Sequence, residues 1–143
     1  MTGPLLPIDP PELGGRGSGY SNGMLAPAGA RILFVAGQIG WDSERRLVDG
    51  GFVPQLERAL ENAVAVVRAA GGEAWHVARL TLFVVDKGEY LGQLGAVGAA
   101  YRRVFDKHFP AMSLVEVRGL LEPGARVEVE ATAALPPAPR NRE

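Results

Sequence analysis

The sequence predicts a single α+β domain in which one mixed β-sheet carries two helices on one face. Three observations predict it. Residues 126–135 alternate, with Val127, Val129, Ala131 and Ala133 on one side and Glu128, Glu130 and Thr132 on the other, which is the period of a half-buried strand. Phe52, Leu56, Leu60, Ala63, Val64 and Val67 instead recur every three or four positions, the stripe of an amphipathic helix of about five turns. The two periods alternate along the chain, so sheet and helices are expected to pack as layers around one core.

Residues 1–19 are rich in Pro and Gly with little periodicity and read as a loosely held arm. Residues 31–36 (RILFVA) form a short apolar run before Gly37, the pattern of a buried strand. Leu47 and Val48 beside Asp49-Gly50-Gly51 suggest a short strand ending in a turn. The first helix follows and stops at Gly71-Gly72, as helices commonly do at glycine.

The longest apolar run, residues 77–85, reads as a central strand covered on both faces. Asp86-Lys87-Gly88 turns the chain into a second helix over residues 89–108, with Tyr90, Leu94, Val97, Tyr101, Val104 and Phe105 facing inward. Gly92, Gly95 and Gly98 lie within it, each weakening it by up to ~1 kcal/mol relative to Ala. Residues 112–118 and 126–135 are the closing strands, joined by a turn at Glu122-Pro123-Gly124. Residues 136–143 read as a frayed tail. Trp75 is expected in or near the core. Trp41 is expected either to wall a pocket or to pack under a loop. Two helices on one face leave the other bare, which small domains cover by oligomerising.

The 143 residues suffice for one domain spanning 1–143. Acids and bases nearly cancel to a net charge of −1, and no basic stripe of the kind that binds nucleic acid is visible. The absence of cysteine excludes disulfides, thiolate catalysis and the usual structural zinc sites. His76 and His108 have no metal-ligand spacing with each other or with paired carboxylates, so no metal is expected. No apolar run approaches the roughly 20 residues that cross a bilayer, and no signal-peptide pattern opens the chain. The expectation is a cytoplasmic protein that handles a small molecule.

Three segments together resemble the RidA family, also called YjgF or L-PSP. The first is Tyr20-Ser21-Asn22-Gly23 followed by Phe34-Val35-Ala36-Gly37-Gln38-Ile39. The second is Gln55, then Ala59-Leu60-Glu61-Asn62 and Ala69-Ala70-Gly71. The third is Pro110 to Val117 (PAMSLVEV), then Val127-Glu128-Val129-Glu130-Ala131. The resemblance covers residues 20–133. It implies a chorismate-mutase-like fold and a homotrimer whose sheets line a central barrel, with clefts at the subunit interfaces. It also implies hydrolysis of reactive enamines or imines to ketoacids and ammonia, with no metal or organic cofactor. Other members carry ribonuclease or translation-inhibitor labels.

Active members place a carboxylate-gripping arginine directly after the Pro-Ala that begins the fourth major strand. Here that position is Met112, which offers no charged hydrogen bond. Arg118 lies six residues on, about 20 Å along a strand, and is no obvious replacement. A second departure is Gly98, where the family often has asparagine. Leu114 stands where some members have cysteine.

Glu128 matches the family glutamate that contacts the attacking water, and a half-buried carboxylate suits acid-base work. Its alternation also fits a solvent-facing or ion-paired strand residue, the reading kept for Glu130. Tyr20 matches a pocket-lining tyrosine or serves as a capping aromatic. Phe34, Gly37, Gln38 and Ile39 match the strand end beside the cleft. Gly37 there permits close backbone approach, and Gln38 holds a turn. Ser113 lies beside the cleft without a histidine that would make it a nucleophile.

The candidate site is therefore Glu128 as catalytic residue, with Tyr20, Phe34, Gly37, Met112, Ser113 and Leu114 binding substrate. Three functions follow from this reading. The first is an enamine or imine hydrolase with an altered, more apolar pocket. The second is a non-catalytic binding or regulatory trimer. The third is the ribonuclease activity attached to some relatives, which the neutral charge disfavours.

Overall fold

The computed structural model describes residues 4–138. In chain order the elements are β1 (Leu6–Ile8), β2 (Gly23–Leu25), β3 (Arg31–Ile39), α1 (Phe52–Ala69), β4 (Val77–Val84), α2 (Lys87–Leu91), α3 (Leu94–Phe105), β5 (Ala111–Glu116) and β6 (Val127–Leu135). Single 3-10 turns occupy Pro11–Leu13 and Ala74–His76.

The main sheet runs β3-β6-β4-β5. β6 pairs antiparallel with both neighbours, and β4 pairs parallel with β5. The parallel pair requires a crossover, and the α2–α3 segment supplies it. α1 and α3 pack together, and the apolar stripe of α1 that the period predicts lies against β3 and β6. Leu56, Leu60, Val64 and Val67 interdigitate there with Val77, Leu80, Val127 and Val129, all essentially without solvent contact.

The α+β class, the mixed sheet and its helical layer are as the sequence predicts, and five local expectations are corrected. The arm is not loose throughout: β1 pairs antiparallel with β2, matching Leu6 to Leu25 and Ile8 to Gly23. Leu47 and Val48 form no strand, only a bridge from Leu47 to Trp41 and a bond from the Val48 N–H to the Gly40 carbonyl. β4 is inner but buried on one face. Val77, Leu80, Leu82 and Val84 point inward, while Arg79, Thr81 and Phe83 point to the other side. Its apolar run reflects a bulge near Ala78 and an open face with apolar patches rather than two covered faces.

The second helix divides. Asp86 caps α2 by accepting from the Gly88 N–H, so the expected turn is the first turn of a helix. Gly92 ends α2, and Gln93 is off helical geometry before α3 begins. The glycine-weakened stretch breaks where packing does not hold it. Trp75 is 60% exposed, not near-core, because its 3-10 turn points the ring outward while Ala74 is buried. Of the expected frayed tail, residues 136–138 are exposed and the remainder lies outside the described residues.

The face of the sheet away from the helices is open. It presents Ile32 and Phe34, 52% and 79% exposed, and Val115 at 42%, alongside Phe83, Glu128 and Glu130.

Candidate functional site

Sheet register sorts the candidate residues onto two faces. Leu80 pairs with Met112 on one side and Ala131 on the other, so Met112 points toward the helices. Leu114, paired with Leu82, does the same and packs on the core. Phe83 pairs with Val115 and with Glu128, and Thr81 with Ser113 and Glu130, so these rows lie on the open face. Within one chain, Glu128 and Met112 are therefore on opposite sides of the sheet.

The first cluster borders a hollow of about 470 Å³ between α1, α2, α3 and the start of β5, within the usual range for small-molecule sites. Leu56, Leu60, Leu82 and Met112 give it an apolar floor, and Tyr20 stands at its rim. Ser21 places Tyr20. Its N–H donates to the Pro110 carbonyl at 3.1 Å and its hydroxyl to the Phe109 carbonyl at 2.6 Å. A parallel bridge from Ser21 to Ala111 continues the sheet edge by one residue. Ser21 is 2% exposed. Asn22 next to it donates to Asp9 and to the Gly15 carbonyl, which closes the loop carrying Arg16. These contacts give the Tyr20-Ser21-Asn22-Gly23 motif a structural purpose.

An aromatic ladder backs the hollow. Tyr101 stacks on Phe105 and Phe109 with ring centroids 5.0 and 6.1 Å away. The Tyr101 hydroxyl donates to the His108 carbonyl at 2.9 Å, and burial pushes its pKa far above the ordinary tyrosine value. It is a neutral donor and no base. Met112 offers this hollow only apolar contact, so the position itself holds no anion.

The second cluster centres on Glu128, which is half-buried on the open face. A bulge interrupts the β3–β6 register between Val35 and Gln38, and the Gln38 amide donates to the Ala36 carbonyl within it. Gly37 lies there under the Glu128 side chain, where a Cβ would come within 2.7 Å of Cδ. Among the described residues the Glu128 carboxylate has no ion-pair or hydrogen-bond partner, which leaves it free to bind water or substrate. Phe34 stands on the same face, two residues before the bulge.

α1 locks both strands of this cluster. Gln55, 5% exposed, donates to the Gly124 carbonyl at 3.1 Å and accepts from the Arg126 N–H at 2.8 Å, fixing the entry to β6. Asn62 donates to the Ile39 and Trp41 carbonyls at 3.0 and 2.9 Å, fixing the exit of β3. Arg58 adds a bond to the Trp41 carbonyl. Trp41 is half-buried beneath the Arg45 guanidinium.

Sequence reasoning missed Ser21, Gln55 and Asn62 as positioning residues, although it used all three to recognise the motifs. It also missed Arg16 and Arg102, the two cations at the hollow. His76 and His108 have structural contacts: His76 Nδ1 accepts from the Glu73 N–H, and His108 Nε2 donates to the Val77 carbonyl at 2.7 Å.

The family described as Endoribonuclease L-PSP matches residues 17–135. The RutC family protein UK114 of Drosophila melanogaster is 40% identical over 104 residues, 72% of either chain. The human 2-iminobutanoate/2-iminopropanoate deaminase is 32% identical over 115 residues, 80% of this chain and 78% of its own. Among solved structures, the Rid-family protein YyfB of Yersinia pestis, of unknown function, superposes with a TM-score of 0.80 at 30% identity. It covers 93% of this chain and 100% of its own. No helix among the described residues is long and apolar enough to cross a membrane.

Proposed function

The chain belongs to the endoribonuclease L-PSP (RidA/YjgF) family, and from that premise we propose that it is a cofactor-independent hydrolase of reactive imines or enamines. The observation that carries this reading is Glu128. It is a half-buried carboxylate without an intrachain partner among the described residues, lying beside the bulge in the space that the missing side chain of Gly37 leaves. The human relative's name as an imine deaminase supports the same reaction class.

Hydrolysis adds water across the C=N bond and expels ammonia, leaving a C=O group. Glu128 as carboxylate takes a proton from the attacking water. It passes that proton to nitrogen to give the neutral carbinolamine, then carries the hydroxyl proton to the same nitrogen as the C–N bond breaks, so that C=O forms and ammonia leaves. Positioned acid-base catalysis of this kind contributes on the order of 10²–10⁴-fold.

Because Glu128 and the Met112 hollow lie on opposite faces, the complete site joins the hollow of one chain to Glu128 of the partner subunit. The exposed Ile32, Phe34 and Val115 give the open face the apolar character of a surface that a second copy covers. A homotrimer is the assembly proposed, and the cytoplasm the proposed location.

Met112 favours one alternative, a trimer that binds a ligand without turning it over. The test generates imines in situ from acidic, neutral and aromatic amino acids and follows ammonia release. Wild type faster than the uncatalysed reaction, with Glu128→Gln inactive, supports the hydrolase. An inert wild type that gains activity as Met112→Arg supports the binding role. Inertness of all three proteins overturns the enamine reading.

A further inference from the structure

The hollow has lost its family arginine at position 112, yet it is not without positive charge. Arg102 lies one helical turn after Gly98 on α3, and both border the hollow. A Cβ on Gly98 would stand 3.2 Å from Arg102 Nη1 and 3.9 Å from Cζ. The guanidinium thus occupies the volume that an asparagine at position 98 would fill. Arg16 approaches from the other rim, its Cζ 4.7 Å above the Phe109 ring. Among the described residues neither arginine makes an ion pair or a side-chain hydrogen bond. The other arginine–carboxylate pairs of the fold, such as Arg103 with Glu57 and Arg126 with Glu89, lie elsewhere.

Two uncommitted guanidinium groups over an apolar floor are a recognition pattern. A planar fork binds a carboxylate through paired charge-assisted hydrogen bonds, and the stacking of Arg16 on Phe109 holds one fork at the rim. Below the forks, Met112 and Leu94 offer only apolar surface, backed by the buried Leu56, Leu60 and Leu82.

We propose that Arg102, in the space opened by Gly98 and assisted by Arg16, is the carboxylate clamp of this protein, and that the hollow selects acids with a bulky branched or aromatic body. The departures at positions 98 and 112 are then one change rather than two losses. Glycine admits the relocated cation, and methionine turns the vacated position into a seat for the apolar body. The assignment rests on the hollow being the substrate pocket of the proposed hydrolase, but it concerns binding and has its own readout.

That readout is calorimetric binding of ketoacids, which resemble the product and cannot be hydrolysed. The full chain is titrated with phenylpyruvate, 4-methyl-2-oxopentanoate, pyruvate and the methyl ester of phenylpyruvate. Phenylpyruvate is expected to bind most tightly and its ester at least roughly tenfold more weakly, since charged hydrogen bonds are lost. Arg102→Met is expected to weaken phenylpyruvate by a similar factor and leave the ester unchanged. Gly98→Asn, which displaces only the flexible tip of Arg102, should have the same effect while keeping the wild-type circular dichroism. Equal binding of phenylpyruvate by wild type and Arg102→Met overturns the clamp, and pyruvate binding as tightly as phenylpyruvate overturns the selectivity. If binding behaves as expected but no imine is hydrolysed, the clamp stands and the hydrolase reading falls. If imines are hydrolysed with a KM indifferent to Arg102→Met, the hydrolase reading stands and the clamp falls.

Discussion

The Glu128 side chain rests directly on Gly37: a Cβ added there would stand 2.7 Å from Glu128 Cδ and 2.9 Å from its Cγ. Real side chains do not approach so closely, so one methyl group at position 37 must move the carboxylate. Gly37→Ala is expected to lower imine hydrolysis by about 10² or more, in the direction of Glu128→Gln. A single-turnover rate measured beside wild type checks it. An unchanged rate would mean that the carboxylate works from another rotamer.

Gln55 joins two backbone groups at the entry to β6, the Gly124 carbonyl and the Arg126 N–H. Gln55→Leu keeps the volume and strands both groups. The cost of unpaired buried polar groups is about 1–3 kcal/mol. A lower urea midpoint with an unchanged m-value is the expected result, and an unshifted midpoint would show that water takes over both bonds.

Burial holds His108 below the ordinary histidine value, against the raising effect of its bond to the Val77 carbonyl, and nearby His76 lowers it further. The unfolded chain then binds a proton more readily than the folded one. The stability His108 contributes is fully present above its unfolded pKa of about 6.5 and is lost as pH falls through the lower folded value. Denaturation midpoints should decline on acidification below about 6.5. His108→Gln, which keeps a donor for Val77, should flatten that decline. Identical pH profiles would remove His108 as its source.

Phe34 is 79% exposed on the open face, near Glu130 and Thr132 across the sheet. If copies of the chain meet there, wild type sediments as a trimer. Phe34→Glu, which adds charge beside Glu130, should sediment as a folded monomer with reduced hydrolysis. A monomeric wild type would overturn the interface and with it the shared site.

Much of this protein is legible along the chain because its causes are local. The alternation of Val127 to Ala133 and the stripe from Phe52 to Val67 depend only on neighbours a few positions apart, and both elements stand where the pattern puts them. Trp75 and the division at Gly92-Gln93 escaped the pattern, because the direction of a ring on a single turn and the breaking point of a weak helix are set by packing. Gln55 and Asn62 were visible as motif members, but their purpose lies in carbonyls 69 and 23 residues away in sequence.

The sequence by itself determined the core helix and strands that follow a local period, the α+β class and the family motifs, and it singled out Glu128 as the carboxylate that the proposed chemistry would use. Only the tertiary structure decided that Leu80 lies between Met112 and Ala131 while Phe83 lies beside Glu128. That register places the hollow and the carboxylate on opposite faces, while the packing of α3 and of the loop tied by Asn22 brings Arg102 and Arg16 to the same hollow. Periodicity is written into each segment, whereas strand register and the meeting of distant side chains follow from non-local backbone bonds and core packing.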